Sequence, residues 1–179
     1  LFPYTTLFRS TKAETDEKYL ELANPYLQKS QIGMFLNAKR YSEKYVKLAA
    51  ERGLSFLRVG VDADECNLAI EPIKAIKANG MKAFFAAMKA YLLEPDAIAE
   101  TAKMLEDIGL DEFTIMDSAG CMLPEDVAKM MEAIVKKSKI PVAFHCHNNL
   151  ALSAGNALAA YNNGAAVLDC GLMGMARSA

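Results

Sequence analysis

No tryptophan occurs in the 179 residues, and only two histidines and four cysteines do. Cys66, Cys121, Cys146 and Cys170 are spaced 55, 25 and 24 residues apart with no CxxC pair. That spacing supports neither a disulfide framework nor a structural zinc cluster, so the four are expected to be small buried or half-buried hydrophobes. Positive charge is not in excess: Lys+Arg number 20 against Asp+Glu 22, a formal net charge of -2, and no Lys/Arg stripe could track a phosphate backbone. Apolar runs are broken by charge well short of the roughly 20 residues of a membrane span, and no basic segment leads into one near the start. Neither nucleic acid nor a membrane is an expected partner, and a soluble, cytoplasmic protein is. A glycine-rich G-x-G-x-x-G turn is also missing, which argues against a dinucleotide fold. What remains is a chain 53% hydrophobic and 23% charged, a composition that folds into a globule.

The chain has a period. Strand-like runs at Gln31–Leu36, Ser55–Gly60, Met81–Ala87, Glu112–Met116, Pro141–His147 and Val167–Cys170 alternate with helical spacing at Tyr41–Arg52, Cys66–Ala78, Asp96–Ile108, Glu125–Lys137 and Ala151–Asn163. Pro95 and Pro124 mark first turns, with Glu125 and Asp126 adding negative charge where a helix favours it. Strand starts recur about every 27 residues, a repeated β-then-α unit that implies parallel strands joined by helical crossovers. The predicted fold is α/β, and a (β/α)8 barrel is favoured over an open doubly wound sheet. A full barrel takes roughly 250 residues, so about six units are expected here, with first strands and a closing segment outside the sequence.

Chemistry gathers at strand ends. His145 and His147 stand two apart in PVAFHCHNNL, so strand alternation turns both to one face, at the carboxyl edge where barrel enzymes build their sites. Two imidazoles side by side suit a divalent cation, and Asn148 and Asn149 follow at once. A carboxylate or other oxygen ligand should complete the site. Asp117 and Asp169 could each be a ligand, a hydrogen-bond partner fixing a histidine tautomer, or a loop cap; the cap is favoured for Asp169, and Asp117 is open. Ser118 could contact substrate or cap the turn closed by Ala119 and Gly120. Arg58, inside SFLRVG, could receive a substrate carboxylate or pair with an acid such as Asp62 or Asp64, the pair being the safer reading. Gly171 and Gly174 could admit a ligand to the backbone or simply turn the chain. The ten methionines read as core filler.

Two resemblances add to this reading. LFPYTTLFRS resembles the in-frame translation of a common sequencing adapter at all ten positions, so residues 1–10 are expected to be non-native and residues 11–179 a partial TIM-barrel catalytic domain. HCHNNLALSAGNALAAYNNGAAVLDCGLMGMARSA, with MDSAGCMLPEDV one unit earlier, resembles the metal-dependent pyruvate aldolases and Claisen-type enzymes of the HMG-CoA lyase-like (DRE-TIM metallolyase) superfamily. That superfamily includes isopropylmalate and homocitrate synthases; the DSAG turn with MLPEDV, and AAMKAYLLEPDAIAE before it, are most similar to the 4-hydroxy-2-oxovalerate aldolases. Asn149 stands where the synthases usually have Asp, and the lyase's cysteine-bearing loop is not seen in GMARSA.

The resemblance implies that His145 and His147 are metal ligands, with Mn2+ or Mg2+ the expected ion. It implies retro-aldol cleavage of a 4-hydroxy-2-oxo acid to pyruvate and an aldehyde, and an acylating aldehyde dehydrogenase as a partner. Ser118, Asp117 and Arg58 are the candidate substrate-binding residues. No segment matches the family's Arg-Asp pair or the aldolases' catalytic histidine, so no catalytic residue is expected in this chain, which should be an inactive piece of its parent. An acyl-CoA-dependent Claisen relative and a catalytically silent product are the alternatives.

Overall fold

In the computed structural model, which describes residues 15–171, the β-then-α period becomes one six-stranded sheet. A first helix α1 (Asp16–Ala23) leads into β1 (Gly33–Asn37), α2 (Glu43–Glu51), β2 (Phe56–Asp62), α3 (Ile70–Ala78) and β3 (Lys82–Met88). Then come α4 (Pro95–Asp107), β4 (Glu112–Asp117), α5 (Pro124–Lys137), β5 (Val142–Cys146), α6 (Ser153–Asn162) and β6 (Val167–Leu168). The strand order is β1-β2-β3-β4-β5-β6 and every neighbouring pair is parallel. Order in space that follows order in sequence is the winding of a barrel wall; a doubly wound sheet reverses direction partway.

Alternation along each strand makes two unlike faces. Leu57, Val59 and Val61 of β2, Ala83, Phe85 and Ala87 of β3, Phe113 and Ile115 of β4 and Phe144 of β5 are each at most 1% exposed. They pack under helix stripes that include Ile73, Ile76, Ile98, Leu105, Met131 and Ile134. Phe85 and Phe113 meet at 5.4 Å on this side. The opposite face carries Phe35, Arg58, Phe84, Glu112, Thr114 and His145, with Phe56 stacked on Phe84 at 4.5 Å. There Phe35 lies across Gly60, where an added Cβ would run into its ring.

The predicted elements are present, with boundary shifts that have local causes. The region from Cys66 to Ala69, expected to open a helix, belongs to a 3-10 segment over Ala63–Ala69. Pro72, near the start of α3, lacks the N–H that would carry an α-helix further upstream. Pro95 and Pro124 occupy first turns as expected, and the Leu123 N–H donates to the Asp126 carboxylate at 3.1 Å. The sequence reading assigned no element over Asp16–Ala23: Leu20 is its buried residue, and its start is set by Thr15, whose hydroxyl accepts the Lys18 N–H. Two cysteines depart from expectation, since Cys121 and Cys170 are exposed while Cys66 and Cys146 are half-buried. Among the described residues no helix is long and apolar enough to cross a membrane. Gly174 lies outside the described residues.

Candidate metal centre

The β5 strand stops at Cys146, one residue before the second histidine. His147 keeps the strand's course because its N–H donates to the Asp117 carbonyl at 3.2 Å. The two imidazoles therefore end up together, ring centroids 5.2 Å apart and planes at 68°. The register pairs Met116 with His145 and Asp117 with Cys146, so His145 belongs to the open face and Asp117 to the helix-covered one.

That difference gives the two aspartates separate duties, settling the open position of Asp117 as a loop cap. Asp117 is fully buried, and its oxygens accept the Cys121 N–H and the Met122 N–H, each at 3.1 Å. It caps the loop after β4, and both oxygens are committed to backbone. Asp169, expected to be a loop cap, is instead the partner of His145: its Oδ2 lies 3.0 Å from Nδ1. The same oxygen accepts from Arg58 Nη1 at 2.5 Å. Arg58 pairs with neither Asp62 nor Asp64; its other arm reaches Glu112 Oε1 at 3.0 Å, while Asp62 is taken by Lys89 at 2.7 Å.

Glu112 was not singled out from the sequence. It is 6% exposed on the open face, and its signal was an acid heading an apolar strand, one strand beyond the residue paired with Arg58: Arg58 aligns with Phe84 and Phe84 with Glu112. Burial raises the Glu112 carboxyl above its usual range, and the Arg58 charge offsets only part of that. Burial pushes Asp169 the same way, but hydrogen bonds from His145 and Arg58 outweigh it and hold its carboxyl below the usual range. Burial alone would lower the Arg58 guanidinium; its two carboxylate partners raise it.

The turn after β4 seats the histidine loop. Gly120 has φ +62, and a Cβ there would fall 2.6 Å from both the His147 carbonyl oxygen and the Asn149 nitrogen. Its carbonyl accepts the Leu150 N–H at 3.2 Å, locking DSAG against HCHNN. Ser118 is half-buried on the same rim, and its Oγ accepts the Lys89 N–H at 2.8 Å. Lys89 is itself in the left-handed region at φ 53, a conformation uncommon for a residue with a side chain. A surface cavity of about 270 Å³ opens elsewhere, between the starts of α4 and α5, lined by residues that include Tyr91, Cys121 and Lys129. It contains none of the predicted site residues. The compact three-carboxylate group among the described residues is Asp62, Asp64 and Glu65, which includes neither histidine, with Asp62 and Glu65 neutralised by Lys89 and Lys39.

A parallel sheet wound in sequence order, with polar side chains gathered at its carboxyl edge, defines the class as a TIM-barrel-type enzyme domain. Residues 55–179 match the HMGL-like family, and the chain belongs to it. It is 36% identical over 164 residues to a 4-hydroxy-2-oxovalerate aldolase of Moorella thermoacetica, covering 92% of this chain and 48% of that protein. An oxaloacetate decarboxylase of Mycobacterium tuberculosis is 34% identical over 167 residues, covering 93% of this chain and 49% of the relative. In fold, it superimposes on the carboxyl transferase domain of Rhizobium etli pyruvate carboxylase with a TM-score of 0.80 at 19% identity, over 88% of this chain and 29% of that one. The chain thus spans about half the length of the curated relatives it matches.

Proposed function

We propose that the chain is part of a divalent-metal-dependent aldolase that cleaves a 4-hydroxy-2-oxo acid to pyruvate and an aldehyde, with residues 1–10 non-native and 11–179 belonging to the catalytic barrel. The observation that carries this is the imidazole pair at the carboxyl end of β5, with His145 Nδ1 bonded to Asp169. The donor set fits a divalent ion. Two nitrogen ligands stand on one rim, beside a cluster in which one guanidinium faces two carboxylates, leaving a net negative charge for a cation to balance.

In this reading His145 and His147 hold the ion, Mn2+ or Mg2+, and do not exchange protons with substrate. The ion supplies Lewis-acid polarisation of the keto acid's oxygens. Ser118 binds substrate: its oxygen already accepts from Lys89, so its O–H is left to donate to a carboxylate or keto oxygen. Asp117 serves the site by holding the loop that carries Ser118 and Gly120, and Arg58 acts on Asp169. In the reaction, a base takes the proton of the 4-hydroxyl, the C3–C4 bond breaks, and its electron pair passes to the pyruvate enolate as the aldehyde carbonyl forms. That base and the group that steadies the enolate belong to parts of the parent enzyme beyond these residues.

The relative that decarboxylates oxaloacetate favours a second reading, because loss of CO2 from oxaloacetate leaves the same pyruvate enolate. The test is pyruvate release by the full-length protein from 4-hydroxy-2-oxovalerate and from oxaloacetate, with and without Mn2+. Metal-dependent turnover of the first, abolished in His145→Ala with His147→Ala, is expected; turnover of oxaloacetate alone selects the second reading, and metal-independent release from either overturns both. The acylating aldehyde dehydrogenase partner and a cytoplasmic location are proposed on the resemblance alone; co-purification tests the partner.

A further inference from the structure

We propose that Arg58 and Glu112 form a brace that commits Asp169 to His145, fixes the His145 proton on Nδ1 and so presents Nε2 to the cation. This rests on the metal reading above for what Nε2 meets, but the brace itself is a property of the metal-free chain.

A single oxygen, Asp169 Oδ2, lies 2.5 Å from Arg58 Nη1 and 3.0 Å from His145 Nδ1. A carboxylate oxygen can only accept, so both neighbours must donate. Arg58 always does; the imidazole does so only in the tautomer with hydrogen on Nδ1, which leaves the Nε2 lone pair as the ligand. Asp169 alone could not ensure this. It follows a two-residue edge strand, and an unbraced carboxylate beside a bound cation would itself be a competent ligand.

Arg58 removes that freedom. It rises from β2 on the same face, its side chain 18% exposed, and spans to the residue after β6 with one arm and to the first residue of β4 with the other. Its Nε is buried and has no partner, so the guanidinium is held in place by the two carboxylates alone. A planar fork can satisfy two acids in different directions at once, which a lysine ammonium on a shorter reach cannot match. Glu112, 6% exposed, would be a costly place for a charge with no use; as the second anchor it aims Nη1 at Asp169. The brace keeps Asp169 as the outer partner of a histidine ligand and prevents it from becoming a ligand itself.

Long-range proton–nitrogen NMR of the 15N-labelled 179-residue chain, metal-free at pH 8, reads the His145 tautomer directly. The native chain is expected to show the Nδ1–H form, and Arg58→Met and Arg58→Lys a mixture with substantial Nε2–H form. Mn2+ affinity, measured by calorimetry, should fall about tenfold in both variants, the lower end of what outer-partner mutations cost. Lys103→Met, which breaks an exposed pair on α4, should change neither readout. If Arg58→Met does not fold, Arg58→Lys carries the test, because it keeps the charge and loses only the fork. A purely structural Arg58 would lower stability and leave the tautomer alone. An unchanged tautomer in a folded Arg58 variant, or the Nε2–H form in the native chain, overturns the brace. The Nδ1–H form in a native chain that does not bind Mn2+ keeps the brace and overturns the metal reading instead.

Discussion

Asp169 and Glu112 share one guanidinium yet respond to pH in opposite senses. The carboxyl of Asp169 is depressed in the folded chain, so its contribution to stability is present above its unfolded pKa, about 3.9, and is lost as pH falls through the lower folded value. Glu112 is raised, so its contribution is present below its unfolded pKa, about 4.3, and is lost as pH rises through the higher folded value. Asp169→Asn removes the first contribution and strands part of Arg58. It should cost about 2–3 kcal/mol near pH 7, where removing one member of a buried pair is expensive. The gap between native and variant stability should hold from pH 6 down to about pH 4 and narrow only as pH falls further, toward 3 and below. Denaturant titrations across that range check it; a gap that widens toward acid would mean that Asp169 is protonated in the folded chain. None of this could be read along the chain, because Arg58 meets its partners 111 and 54 residues away. His145 and His147 were legible because a strand's two-residue alternation is local. The pairing of Asp169 with His145 was within reach: β6 aligns Val167 with Ala143, and stepping two residues up both strands sets the two side by side.

Among the elements, the turn after β4 and the loop after β5 behave as one part. Gly120 lets the two backbones touch, and Asp117, buried beneath, takes two N–H groups of its own turn while its carbonyl accepts from His147. Gly120→Ala asks for a left-handed alanine and for a methyl where the His147 carbonyl already is. The left-handed backbone alone costs about 1 kcal/mol, and displacing the loop adds to it, so a total of roughly 2–3 kcal/mol is expected. Because the displaced segment carries His147, Mn2+ affinity should drop with stability; calorimetry together with thermal melts checks this, and unchanged affinity would separate the loop from the site. The strands and helices were readable from their apolar periods. The exceptions have physical causes. β5 ends at Cys146, one residue early, although His147 still bonds to the neighbouring strand's last carbonyl; α3 begins late because of Pro72, and α1 was missed because little of it is buried.

For the molecule as a whole, the sheet's helix-covered face is a packed core and its other face is where the charged network and the imidazoles lie. A ligand that binds this face only when folded should stabilise the whole chain by mass action, by about 2.7 kcal/mol at a hundredfold excess over its Kd. Mn2+ is therefore expected to raise the melting temperature of the native chain and to leave that of His145→Ala with His147→Ala unchanged. An equal rise in both would place the binding elsewhere, with Asp62, Asp64 and Glu65 the first place to look.

The winding of the sheet also sets an order of events. Each strand's neighbour is the unit synthesised just before it, so a growing chain can add β2 to β1, then β3 to β2, using contacts of short sequence separation as it emerges. The salt link from Arg58 to Asp169 does not follow that rule, since it joins the second strand to the end of the sixth. An arginine made early waits, with only Glu112 to meet it, until the last described strand arrives. Closure of that link waits on the sixth strand: a nascent chain stalled before Asp169 would own both histidines and lack the carboxylate that orients the first of them.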